Sequence, residues 1–321
     1  MNYPTITGLD IGHHSIKVAS VRLKRGQLEW MSCHEMPLSA PVFVEGGRLL
    51  NESVKLQLSQ LKRRVKSNQK RVAFSIPDHH IMSKLIQIDS QLDDKEIEFT
   101  LTHAFEKQTS LSSAELNIDF SMIKPLESDD LKIKNYQVFA TRKEIVHSRQ
   151  KCIESAGFLT VLADIHSHSL LALWQRGVAV YPDKNNWILV DIGYQQLIFC
   201  ITSPNQHLYS KQVTFGASIV QNTNNREQYI TQLSEHIRRQ ITLYSSIHDH
   251  KVEGVWITGG GSLYPDLAYL LSDEISLPTL AFNLLSLFQA SSKTPPYVET
   301  SINQYASALG LGLRGIEWLT K

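Results

Sequence analysis

The amino-acid sequence predicts an α/β chain made of two similar halves, with a small α+β module inserted in the first. Three observations predict it. An apolar run ends in Asp-Ile-Gly twice, as Thr5-Ile-Thr-Gly-Leu-Asp10-Ile-Gly12 and as Trp187-Ile-Leu-Val-Asp191-Ile-Gly193. A glycine run, Thr258-Gly-Gly-Gly-Ser262, follows the second copy. Between the copies lies a block patterned strand-helix-strand-strand-helix. In each Asp-Ile-Gly copy a carboxylate sits where the strand stops, and the glycine lets the backbone reverse close to a ligand.

In chain order, Ile6 to Asp10, Ser15 to Arg22 and Leu28 to Met31 read as a meander of strands around the first turn. A helix is predicted from Asn51 to Lys66, because Val54, Leu58, Leu61 and Val65 recur at spacings of three and four. Strands follow at 71–76, which Pro77 ends, and at Met82 to Ile88. Residues 92–107 form a helix whose acidic start suits its dipole. Asn117 to Ile123 and Tyr136 to Ala140 are strands around a polar turn, and a helix runs from Thr141 to Ala156 with Gly157 as its C-cap. Leu159 to Asp164 is a strand and Ser167 to Trp174 a helix. The second half holds a hairpin of Leu197–Ser203 and His207–Val213 turned by Ser203 to Gln206, and a long helix from Asn225 to Ser246. Gly254 to Thr258 is a buried strand, Pro295-Pro296 marks a loop, and Gln304 to Gly315 is a closing helix.

Composition fits a globular chain of 321 residues, 42% hydrophobic and 20% charged. Its 32 Lys+Arg against 31 Asp+Glu give no field to draw nucleic acid or an anionic membrane. Cys33, Cys152 and Cys200 stand far apart with no CxxC pair, which argues against a disulfide framework and fits a reducing cytoplasm. No basic segment precedes an apolar one at the N-terminus, and no window reaches the roughly 18 apolar residues a spanning helix needs.

Two such turns and a glycine run facing one nucleotide give the outline of the actin-like, sugar-kinase and Hsp70 folds. More specifically, the chain resembles the PilM family of type IV pilus assembly proteins and, more distantly, FtsA. The likeness continues through Ser75-Ile-Pro77, Lys84-Leu-Ile-Gln-Ile88, the acidic helix from Asp93 and Ala140-Thr-Arg-Lys-Glu-Ile-Val146. It runs on through Ala156-Gly157, Ala163-Asp164-Ile165, Ser169-Leu170-Leu171, Glu235 to Gln240, the glycine run, and Tyr305-Ala-Ser-Ala-Leu-Gly-Leu-Gly312. Order and spacing carry it, since no single motif is decisive.

The resemblance implies an actin-like (ribonuclease H-like, duplicated) fold. Residues 1–77, 159–185 and 300–321 would form the first domain, 78–158 the inserted subdomain and 186–299 the second domain. It implies ATP as cofactor, with Mg. Asp10, Gly12, His13, His14, Ser15 and Lys17 would make the first phosphate turn, Asp191 and Gly193 the second, and Gly216 would lie near the phosphates. Gly259, Gly260 and Ser262 would line the adenosine pocket, and Asp10 and Asp191 would meet the metal through water. Spacing independently puts Ser15 and Lys17 on one face of a hairpin strand. His13 and His14 either donate to phosphate or are simply exposed. The implied role is a cytoplasmic scaffold, at most a weak ATPase. It would dock the extended N-terminal tail of a PilN-like inner-membrane protein between the first domain and the insert, and join the pilus motor to the membrane platform.

Two departures from the family weigh on the cofactor. Tyr194 and Leu197 follow the second turn where the family has small and hydroxyl residues, and the family's ribose-holding segment after Gly216 is deleted, the chain passing almost directly from Phe215-Gly-Ala-Ser218 to the helix at Asn225. A nucleotide-free interaction protein, or a small-molecule kinase, remains an alternative. Gly310-Leu-Gly312-Leu-Arg-Gly315 spells a dinucleotide fingerprint, but it lies inside a predicted helix, where small residues serve close packing. The pairs His79-His80, His166 with His168, and His248 with His250 lack the partners of a zinc shell. Leu111 to Ile118 and Ile123 are either a partner surface or the module's own core, and Asp164 is structural or functional.

Overall fold

A computed structural model describes residues 3–44, 49–109, 111–123, 133–202, 208–223, 225–248, 250–290 and 301–320. The chain forms two compact units: residues 1–75 with 152–321, and residues 76–151.

The larger unit holds two sheets of the same plan. In the first, β1 (Thr5–Ile11), β2 (Ser15–Lys24) and β3 (Gln27–Pro37) form an antiparallel meander, and β1 pairs in parallel with β4 (Arg71–Ile76). In the second, β9 (Trp187–Ile192), β10 (Leu197–Thr202) and β11 (Leu208–Val213) repeat the meander, and β9 pairs in parallel with β12 (Gly254–Thr258). The sheet orders are β3-β2-β1-β4-β8 and β11-β10-β9-β12-β13, where β8 is Leu159–Ile165 and β13 is Thr279–Ala281; the short β14 (Gln289–Ala290) extends the first beyond β3. The duplication read from two turns is thus a duplication of whole sheets. The predicted hairpin turn at 203–206 and the loop at Pro295-Pro296 lie outside the described residues.

The helices follow from apolar spacing. α1 (Asn51–Arg64) turns Val54, Leu58 and Leu61 inward, and Val65 follows at its C-cap; all four are buried, so the stripe seen in sequence is the packed face. The long α6 (Arg226–Ile247) starts where the Asn225 side chain accepts from the Gln228 amide at 3.0 Å, and it buries Tyr229, Leu233, Ile237 and Tyr244. Ahead of it, a six-residue helix α5 (Ser218–Thr223) occupies what the sequence showed as a bare connection.

α4 (His166–Val180) and the C-terminal helix α8 (Ala306–Leu319) pack on each other, and α8 lies on β1 and β2. Glycines set this approach. A Cβ on Gly8 of β1 would come within 1.8 Å of the Ala308 carbonyl oxygen, and one on Gly310 within 2.2 Å of that of Ser169. Gly312 and Gly315 face Val21 and Ile6, so the glycine fingerprint works as a packing surface.

The smaller unit is a three-stranded antiparallel sheet, β5 (Met82–Asp89), β7 (Ile133–Arg142) and β6 (Leu116–Ile123), with β7 in the middle. α2 (Asp94–Thr109) buries Ile97, Leu101 and Phe105 against Ile86, Ile88, Tyr136 and Val138. A capping box starts α2: Asp93 accepts from the Glu96 amide at 2.9 Å, and Glu96 accepts from the Asp93 amide at 3.0 Å. Leu116 is buried, and Leu111 and Ile118 pack beside it, so most of that stretch belongs to the unit's own core. α3 (Lys143–Ser155) returns the chain to the larger unit and ends before Gly157, whose φ is +88°.

Candidate functional site

The first turn joins β1 to β2. The Gly12 amide donates to the Ser15 carbonyl at 3.0 Å, so His13 and His14 form its exposed tip. Pairing of Asp10 with Lys17 sets both beside the turn, where Lys17 Nζ lies 3.8 Å from Glu35. Ser15 is fully buried and its hydroxyl has no hydrogen-bond partner among the described residues. A buried hydroxyl left so is costly unless something else completes it.

The second turn joins β9 to β10. The Gly193 amide donates to the Gln196 carbonyl at 2.9 Å. From the other side, the Ala217 and Ser218 amides donate to the Gly193 and Tyr194 carbonyls at 3.0 and 2.8 Å. Gly216 permits this closeness, since a Cβ there would meet the Tyr194 carbonyl at 2.5 Å. Gly216 therefore supports the turn, and the first amides of α5 are engaged by protein.

The two turns meet. The His14 and Tyr194 rings have centroids 4.9 Å apart at 35°, and His13 rests on Phe43 at 4.8 Å. Of the two readings of the histidine tip, His14 is exposed at its rim yet packed against the opposite turn.

Asp191 lies at the end of β9 between Ile198 of β10 and Thr258 of β12, and is 6% exposed. Burial pushes its pKa up to about 6; the charge of Asp10 adds to this, while His166 and Lys17 oppose it. Asp10, Lys17 and His166 are thus each within electrostatic reach of Asp191. A pair of carboxylates sharing one field, one of them deeply buried, suits a hard divalent cation. Ser15 and Lys17 beside it suit a phosphate oxygen. The donor set therefore fits Mg with phosphate at the first turn better than at the second. Among the described residues, no group of three or more His, Cys, Asp or Glu is placed to hold a metal by itself.

The glycine run follows β12. Gly259 has a φ of +85°, and a Cβ there would fall 2.6 Å from the Ile192 carbonyl and 2.8 Å from Asp191 Oδ1. The fold itself explains this glycine, which leaves space for the Asp191 carboxylate. Gly261 packs on Ile192, the Ser262 hydroxyl donates to the Gly259 carbonyl at 2.7 Å, and Gly260 faces open space.

Two residues near these turns are not among the site residues expected from the sequence. His166 opens α4, and its Nε2 lies 2.8 Å from the Ser307 hydroxyl. Asn303 accepts through its main-chain carbonyl from the Gly259 amide at 3.0 Å, while its buried side-chain Oδ1 has no partner among the described residues. A histidine directly after a strand end was the signal available for the first; nothing local marks the second.

Asp164 is structural. Its carboxylate accepts from Arg314 Nε at 2.6 Å and from the Ile165 amide at 2.8 Å, with His168 Nδ1 at 3.5 Å, so it ties β8, α4 and α8 together. Burial pushes its pKa up, but the His168 and Arg314 contacts more than offset that and hold it below the ordinary carboxylate value. Its contribution to stability is therefore present above the unfolded pKa and is lost as pH falls through the folded one.

The family profile described as type IV pilus assembly protein PilM matches residues 8–227 and 226–316. Among solved structures, a PilM-PilN type IV pilus biogenesis complex is similar over 97% of this chain and 98% of that chain, at 19% identity and a TM-score of 0.77. The ethanolamine utilization protein EutJ of Carboxydothermus hydrogenoformans is similar over 98% and 90%, at 11% identity and a TM-score of 0.56. Those likenesses agree with the duplicated sheets and paired strand-end turns described above: the fold is actin-like, and the chain belongs to the PilM family of type IV pilus assembly proteins.

Proposed function

We propose that this protein is a cytoplasmic scaffold of type IV pilus biogenesis. It holds ATP with Mg between its two strand-end turns and docks the N-terminal tail of a PilN-like inner-membrane protein. Membership of the PilM family over most of the chain is the observation that carries the reading. The tail gives the protein a peripheral place at the inner membrane and links the pilus motor to its platform; among the described residues, no helix is long and apolar enough to cross a membrane. In this reading residues 1–77, 159–185 and 300–321 act as the first actin-like domain, 78–158 as the insert and 186–299 as the second domain.

Ser15 and Lys17 meet phosphate oxygens, Asp10 and Asp191 hold the cation through its water, and Gly260 and Ser262 border the adenosine. The nucleotide, when bound, supplies charge that joins the two turns. It shifts the domains only by as much as its affinity differs between their arrangements. A nucleotide-free scaffold is the second reading, favoured by the contact of His14 with Tyr194.

The insert supports tail docking. β5 and β6 each pair only with β7 among the described residues, which leaves a sheet edge on either side for an added strand. Leu85 of β5 is 55% exposed and offers an apolar anchor there. A synthetic peptide of the N-terminal segment of a PilN-like protein from the same genome is expected to bind saturably in fluorescence anisotropy. Leu85→Asp is expected to weaken it about tenfold, as loss of a central anchor does. Absence of binding by the unaltered chain contradicts the reading.

A further inference from the structure

We propose that the end of the first sheet remote from the Asp10 turn binds the surface of an anionic membrane directly, independently of any docked tail. Charge is balanced over the whole chain, yet residues 62–71 hold six cations, Lys62, Arg63, Arg64, Lys66, Lys70 and Arg71, and no Asp or Glu. The balance that argues against a general field does not hold locally. The dipole of α1 accounts for Lys62, Arg63 and Arg64, which form its last turn. Lys66, Lys70 and Arg71 lie past the helix and need another reason. Among the described residues, neither these three nor Lys62 has an ion-pair partner.

Topology gathers them at one end of the sheet. Thr5 of β1 pairs with Arg22 of β2, and Thr7 pairs in parallel with Val72 of β4, so the starts of β1 and β4 and the end of β2 lie together, away from the Asp10 turn. At the start of β8 the Leu159 amide donates to the Lys70 carbonyl at 2.9 Å, and Lys62 Nζ fills the space that a Cβ on Gly157 would take. The turn from β2 to β3 adds the exposed Arg25. Of the acids nearby, Glu29 is paired with Arg22 and Lys24 and Glu317 with Arg314, while Glu154 accepts from the Thr160 hydroxyl.

Two large apolar side chains stand out in the same place. Leu159 is 57% exposed. Ala308 of α8 lies over Gly8 and Gly315 over Ile6, so the helix runs toward the start of β1; Trp318 comes about one turn further on and is 52% exposed. Cations alone would serve any polyanion. A projecting leucine and tryptophan beside them suit a lipid interface, where the indole sits among headgroups and the cations meet phosphates. Contact through this end turns Asp10 and its neighbours away from the bilayer.

Flotation of the full chain with phosphatidylcholine vesicles, with and without phosphatidylglycerol, tests this. The chain is expected to bind only the anionic vesicles and to be released as salt rises. A cation near such a surface is worth about a fivefold change in affinity, so the triple variant Lys66→Gln, Lys70→Gln, Arg71→Gln is expected to bind about a hundredfold more weakly. Leu159→Ser is expected to weaken binding about tenfold and to leave its salt dependence unchanged. Melting curves confirm that each variant is folded. No binding to anionic vesicles, equal binding to neutral ones, or binding that the triple variant keeps overturns the proposal. So does a DNA duplex bound as tightly as the vesicles and lost in the triple variant but not in Leu159→Ser, which would assign the patch to nucleic acid.

Discussion

Gly8→Ala is expected to destabilise the folded chain severely. Gly8 sits mid-strand in β1, paired with Ala19 of β2 on one side and Ala73 of β4 on the other, so the strand cannot step aside. A methyl group there would stand 1.8 Å from the Ala308 carbonyl oxygen and 2.7 Å from the Gly312 nitrogen, both backbone atoms of α8. Nothing flexible yields, and α8 would have to withdraw from the sheet. That helix is held from behind by α4, where Gly310 already touches the Ser169 backbone. Ala306, Ala308, Leu309 and Leu311 have no exposed surface and would lose their packing together. A loss above about 4 kcal/mol follows, a large part of what an ordinary chain has. Gly26→Ala is the control: its φ is +80°, but nothing lies within 4 Å of the new methyl, so it costs about 1 kcal/mol. Denaturant midpoints of the two variants check this, and a Gly8→Ala chain within about 1 kcal/mol of the original contradicts the account of α8.

Asp191→Asn is expected to stabilise the protein at alkaline pH while impairing Mg·nucleotide binding. Burial raises the Asp191 pKa to about 6, from an unfolded value near 4. Because the folded value is the higher, the group's contribution is most favourable below pH 4 and is lost as pH rises through about 6. Above that, the ionised carboxylate costs up to about 3 kcal/mol, two pKa units at 1.36 kcal/mol each. Asparagine keeps the shape without the charge. Its melting temperature is expected to exceed that of the original by several degrees at pH 8, and the difference is expected to shrink at pH 4. A carboxylate kept against such a cost is the usual mark of a site maintained for function. Equal differences at both pH values contradict this reading of Asp191.

Much of the fold was legible because its signals are local. Gly254 to Thr258 was bounded correctly as an apolar run opened by glycine, and the Val54, Leu58, Leu61 and Val65 spacing marked α1. β3 extends six residues past the Met31 end read from sequence, because Ser32, His34 and Glu35 break the apolar pattern while the strand is only half-buried. α7 (Leu267–Ile275) has no counterpart in the sequence reading although an N-cap type of residue, Asp266, precedes it; in the structure that residue has a φ of +60° and makes no side-chain cap. α5 is too short for a period to show. At the site, Asp10 and Asp191 were readable as strand-end carboxylates. His166 carries only the weak local signal of a histidine after a strand end, and Asn303 is brought there by topology alone, through the placement of the turn ahead of α8. Gly259 was read as making room for a ligand, and the structure gives it a partner within the fold, the Asp191 carboxylate.

The two turns are unequal. The first has an orphaned buried hydroxyl on Ser15 and an ammonium on Lys17, while the carbonyls and first amide of the second are engaged by its own backbone and by α5. Nucleotide affinity is therefore expected mainly at the first turn, with Asp10 at its edge. Calorimetric titration of Mg·ATP into the unaltered protein and into Asp10→Ala is the most direct measurement of that claim. Saturable binding by the unaltered protein and affinity at least about tenfold weaker in Asp10→Ala are expected; no heat with the unaltered protein, or equal affinity in the two, contradicts a nucleotide site at the first turn.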